Sequence, residues 1–161
     1  MIKTVSGPGV QGLHPAPIVV KVKAQEALTQ YDICQFDFVN ATSLVPGNAA
    51  FAGYLVRDPD AEGTSIRTLS AFVFGVAQED IAAAGTGYVM VRGITKCNVD
   101  GATAAGSCLV PAADGQGDVS TGGTNLKVIA IALEADTSNI ATVLFDGWSG
   151  FGNDVGSNVS T

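Results

Sequence analysis

The stretch FGVAQEDIAAAGTGYVMVRG, Phe74 to Gly93, holds the first residues whose types could do chemistry. Gly85 and Gly87 close a run of small residues between two apolar segments, and glycine-rich loops of this size can cradle phosphate. A dinucleotide fingerprint requires G-x-G-x-x-G at the start of a helix. Here Met90 stands where the third glycine belongs, and a strand pattern follows. Without a helix N-terminus there is neither a dipole nor a fan of free N–H groups for an anion. The spacing instead predicts a hairpin connection in which the glycines supply positive φ.

Three further stretches approach known chemistry and depart from it. DPDAEG, Asp58 to Gly63, places Asp58, Asp60 and Glu62 as an EF-hand loop begins, but its twelfth position is Leu69 rather than a bidentate Glu. The ordinary reading is an acidic turn organised by Pro59; a loose Ca²⁺ site is the alternative. GWSGFG, Gly147 to Gly152, approaches the G-x-S-x-G nucleophile elbow, with Phe151 at the fifth position. Ser149 would need a base, and the single histidine, His14, sits beside Pro15 in a Gly/Pro-rich segment that would not hold it in place. Cys34, Cys97 and Cys108 have no zinc spacing, and their odd number argues against a disulfide framework. They read as small buried thiols, although Cys97 and Cys108 could lie on neighbouring strands. The residues therefore predict no enzyme, no cofactor and no metal.

Composition limits the partners. The net charge of −7 repels phosphate backbones, and the eight Lys and Arg are scattered, so nucleic acid is not an expected partner. No apolar run reaches the roughly 18 residues of a membrane span, and the N-terminal segment shows no apolar signal region, so a chain made in a cytosol and kept off membranes is expected. Charged residues are only 14% of the 161, against roughly 25% in ordinary soluble domains. A chain that hides surface against copies of itself or another protein needs less charge.

The elements that would position these residues repeat with a period of two. PIVVKVKA puts Ile18, Val20 and Val22 on one face and Lys21 and Lys23 on the other; DICQFDFV puts Cys34, Phe36 and Phe38 on one face and Gln35 and Asp37 opposite. AFVFGVA (Ala71–Ala77) and YVMVRGIT (Tyr88–Thr95) are apolar on both sides, as buried or interface strands are. LKVIAIAL sends Ile129, Ile131 and Leu133 one way, and IATVLFDG closes the pattern. Turn signals recur at VPGN, RDPDAEG, NVDGATAAG, PAADGQG and STGG. Helix is a minor expectation: two turns over Lys23–Gln30 and one over Ala77–Gly85. The expected fold is all-β, a small barrel, β-tulip-like or sandwich core over residues 17–148, with an extended N-terminal arm over 1–16 and a flexible tail over 149–161. VFGVAQEDIAAAGTGYVMVRG and VIAIALEADTSNIATVLFDG share one plan, a strand, an acidic small-residue bend, and a strand ending in Gly.

From about Pro17 to Gly147 the chain resembles the small capsid decoration, or cement, proteins of tailed bacteriophages, a family with a β-tulip or barrel-like core. The resemblance is carried by the "GVA" strand, the small-residue bend and the "V-x-V-x-G" strand of Phe74–Thr95, by Gly101–Gly115, and by the "A-L-E" and final strands of Val128–Gly147. Ala50–Ser70 looks like an insertion beyond that pattern. The resemblance implies a non-catalytic virion protein, made in the host cytoplasm, that binds the major capsid protein on the outer surface of the head, bridges coat subunits and forms a homotrimer. Capsid or subunit contacts would come from the arm, Val5, Val10, Leu13, His14, Pro15 and Pro17, and from Trp148 and Phe151. The alternative is a head-fibre base or a host- or glycan-binding module, with Trp148, Phe151, Tyr54 and the Asp58–Gly63 loop as contacts. A small hydrolase using Ser149 or Asp146 is a third.

Overall fold

The computed structural model describes residues 17–36, 54–57, 73–121, 127–147 and 150–151. Among them every regular element is a strand. These are β1 (Ile18–Ala24), β2 (Ile33–Phe36), β3 (Tyr54–Arg57), β4 (Val73–Ala77), β5 (Thr86–Asn98), β6 (Cys108–Pro111), β7 (Gly117–Val119), β8 (Ala130–Ala132) and β9 (Ile140–Asp146).

One nearly closed, barrel-shaped sheet contains all nine, in the order β1-β3-β2-β4-β5-β9-β8-β6-β7, with β1 also paired to β5. That extra pairing closes the first five strands into a ring. β1 and β3 are parallel; the other named strand pairs are antiparallel. On the far side, the bridge between Val99 and Gly117 returns β7 to the end of β5. The 13-residue β5 thus serves both halves of the sheet.

Two cores fill these halves. The first gathers Val22 and Ala24 of β1, Cys34, Phe74, Ala77, Val89 and Val91 inside the five-strand ring. Leu28 and Ile81 join it from two loops that pair backbone to backbone, each N–H donating to the other's carbonyl at 2.8 Å. The second gathers Cys97, Val99, Leu109, Ile129, Ala141, Val143 and Phe145 against Ile33, Val73 and Val76. β2 and β4 therefore offer one face to each core. That is why β4 reads VFGVA with no polar position and is buried throughout.

The all-β expectation is met, with several local corrections. No helix forms over Lys23–Gln30 or Ala77–Gly85. Leu28 and Ile81 bond across to each other, and that pairing takes the backbone groups a helical turn would use. Within Ala50–Ser70, β3 forms a strand between β1 and β2. Ile18 leaves the Val20 and Val22 face because the register shifts between Ile18 and Val19, so it lies 47% exposed opposite Arg92. Ile129 does not share the face of Ile131 and Leu133: it is fully buried, whereas Leu133 is exposed. In β8 the inward residues are Ala130 and Ala132, opposite Phe145 and Val143, whose bulk leaves room for little more than a methyl.

Candidate functional surface

Gly85 closes the β4–β5 hairpin connection, and Gly87 is the second residue of β5. Positive φ there belongs to Ala84, at 60°, and to neither glycine. The expectation that the glycines supply it is thus corrected. Their role is close approach. A Cβ on Gly85 would lie 2.7 Å from the Ala82 carbonyl oxygen, which accepts the Gly85 N–H. A Cβ on Gly87 would lie 2.6 Å from Ile81 Cδ1. Glycine here lets Ile81 enter the first core.

The cysteines separate. Cys34 and Cys97 are buried, Cys108 is exposed, and all three are free. β9 and β8 lie between β5 and β6, so Cys97 and Cys108 are not on neighbouring strands. Burial, with a contribution from the Asp32 charge, pushes the Cys97 thiol up to about 12, so it stays protonated. Among the described residues no three of His, Cys, Asp and Glu are grouped to hold a metal ion.

The buried carboxylates are held in structural contacts. Asp32 accepts from the Thr29 N–H at 2.7 Å and from Asn98 Nδ2 at 2.8 Å. Burial raises its pKa, and those hydrogen bonds lower it. Asn98 also donates to the Gln30 carbonyl, so this knot joins the entry of β2 to the end of β5. Asp146 faces Arg92, Nε to Oδ2 at 3.4 Å, between β9 and β5. Lys127 donates to the Gly147 carbonyl at 2.7 Å, its pKa lowered by burial and partly restored by Asp146.

The outer face of the sheet is where the surface chemistry lies. On β5, Val89, Val91, Thr95 and Cys97 point inward, while Tyr88, Arg92, Ile94 and Lys96 point out. Cross-strand register then aligns Ile94 with Leu144, Leu144 with Ile131, and Ile131 with Cys108. This gives an apolar row over four strands, with Leu133 (46% exposed) beside it. A second apolar patch, Ile18, Val19 and Tyr88, lies on β1 and β5. The row follows from strand register, which hydropathy alone does not give; carrying the period of two through YVMVRGITKC would have placed Tyr88, Ile94 and Lys96 outside.

Of the contact residues expected from sequence, Val5, Val10, Leu13, His14, Pro15 and Trp148 lie outside the described residues, as do Ser149 and the Asp58–Gly63 loop; Tyr54 is placed only by its backbone in β3. Pro17 is exposed and lies against Gly93 of β5. Phe151 is 40% exposed and donates its N–H to the Val128 carbonyl at 2.8 Å. Both lie toward the same end of the β5–β9 pair: Pro17 precedes Ile18, the partner of Arg92, and Phe151 follows Asp146, which is Arg92's partner on β9.

The fold is an all-β, nearly closed barrel-shaped sheet. No protein-family model matches the chain, and no curated protein does. Three chains of solved structures match. One is the head fiber gp8.5 N base in bacteriophage phi29, with a TM-score of 0.55 at 14% identity, covering 84% of this chain and 98% of that one. At that identity the likeness is one of fold.

Proposed function

We propose that this chain is a structural protein of a bacteriophage particle, bound to the outer surface of the head. There it contacts the major capsid protein and bridges neighbouring coat subunits as a homotrimer, without catalysis, nucleic acid or membrane. The observation that carries the phage structural role is the fold shared with a phage head-fibre base over nearly all of that base. Other features support it. The net charge of −7 suits a site outside the shell, away from packaged DNA. Apolar side chains on an outer sheet face suit burial between subunits. A trimer touching several coat proteins gains avidity even where each contact is weak.

The phi29 neighbour itself favours a second reading, a head-fibre base. Copy number separates the two. Particles purified by density gradient would be quantified for this chain against the major coat protein by mass spectrometry. Copies comparable to the coat protein support the cement role. Far fewer copies support the fibre base, and absence from the particle contradicts both.

A further inference from the structure

Exposed apolar side chains gather at one end of the β5–β9 pair. Arg92 marks that end on β5. Ile18 lies across from it on β1, Asp146 across from it on β9, and Ile94 two residues further along. After β9 the chain turns back: the Gly150 N–H donates to the Asp146 carbonyl, and the Phe151 N–H to that of Val128. Ile18, Ile94 and Phe151 are all exposed. Arg92, the exposed charge among them, is matched by Asp146 at 3.4 Å, so the patch calls for apolar side chains in a partner rather than a counter-charge. The other end of the pair is polar. There Asp100, Gly101, Thr137, Ser138 and Asn139 stand exposed, and the Val99 N–H donates to the Asn139 carbonyl. The seven residues of β9 set the two ends about 20 Å apart.

Covalent reach ties the segment before β1 to the apolar end. Pro17, exposed against Gly93, is where the described chain enters. Leu13, His14 and Pro15 stand two to four residues before it in sequence, hence within about 14 Å of it whatever path they take. A partner that these residues touch therefore lies at the Arg92 end and not at the far turn. We propose that the chain stands on the coat with the Arg92 end down. Ile18, Ile94 and Phe151 pack on apolar side chains of the major capsid protein, beside the contacts of the N-terminal segment. The turn at Ser138 and Asn139 points away from the head. The inference rests on the proposed attachment to heads and adds the face that makes it. Patch and segment then share one partner, and each holds the other at high effective concentration.

The test adds full-length chain to heads matured without it. Ile18→Arg and Ile94→Arg are expected to weaken binding about tenfold or more, since each buries a charge without a partner, and Asp100→Arg, at the far end, to leave it within about twofold. The same side chain is introduced each time, so a long-range effect of charge would act on all three in the same direction. Hydroxyl-radical footprinting of the unaltered chain gives a reading that a misfolded variant cannot mimic. Ile18, Ile94 and Phe151 should lose labelling on heads and keep it in the free chain, while Ile140, beside the far turn, labels equally in both. Labelling lost at Ile140 and kept at Ile94, or Asp100→Arg weakening binding as much as Ile94→Arg, would overturn the inference. So would protection of Ile94 in the free chain, which would make a second copy the occupant. Each of these results leaves binding to heads, and with it the proposed function, standing. An unaltered chain that does not bind heads removes both.

Discussion

Adjacent residues of β9 should differ sharply in what they contribute. Phe145 is fully buried, and its neighbours across the sheet are Gly93 on β5 and Ala130 on β8. The ring packs against Gly147, where an added Cβ would lie 2.8 Å from Phe145 Cε1, and Ala130 opposite it carries only a methyl, so neither has a side chain that could move in after it. Phe145→Ala should therefore leave most of its cavity open and cost about 3–5 kcal/mol. A domain of this kind has about 5–15 kcal/mol in total. Leu144 points the other way, half-buried, between Ile94 and Ile131. Leu144→Ala should cost about 1 kcal/mol or less, since only partial burial is lost. Urea unfolding followed by far-ultraviolet circular dichroism measures both. Equal costs, or a larger cost at Leu144, would refute the reasoning. That outcome would place the strand one residue out of register and turn the apolar row inward.

The other expectations are independent of that register. Gly147→Ala should destabilise severely, because a Cβ there would press on the Phe74 carbonyl oxygen, which is backbone and cannot yield; thermal unfolding reads this. Asp32 has a folded-state pKa raised above its ordinary value of 3.8, so its contribution favours the fold at low pH and is lost as pH rises through the raised value. Asp32→Asn should remove that component from the stability–pH curve, and an unchanged curve would contradict it. A thiol reagent should label Cys108 alone in the native protein and all three cysteines after denaturation; native labelling of Cys97 would contradict its burial. Deleting residues 1–15 should leave unfolding unchanged, because among the described residues the buried core begins at Val22, and should weaken head attachment; a pull-down on heads separates the two effects.

The strands that alternate over several residues were legible in the sequence. β1 and β9 carry the period of two, and β4, apolar on both sides, was legible as a buried strand; β5 looks apolar on both sides in sequence, whereas its residues alternate and Tyr88 and Ile94 lie exposed. β3 and β7 were not, because strands of four and three residues carry almost no periodic signal. In β8 the largest side chains do not mark the inside, since the inward space is already occupied from β9. The loops at Leu28 and Ile81 looked helical because local propensity cannot register a bridge between residues far apart in sequence. Glycine at 85 and 87 pointed correctly to a hairpin, but the reason, contact with Ala82 and Ile81, is a tertiary one. The outer apolar row needed four strands in register before it existed at all.

The central claim is attachment to the outside of a phage head, and reconstitution tests it most directly. Purified chain would be added to heads matured without it, and bound chain per coat subunit would be measured together with the temperature at which the heads release DNA. The account predicts saturable binding to the outer surface and a higher release temperature. Absence of binding at saturating chain would contradict it.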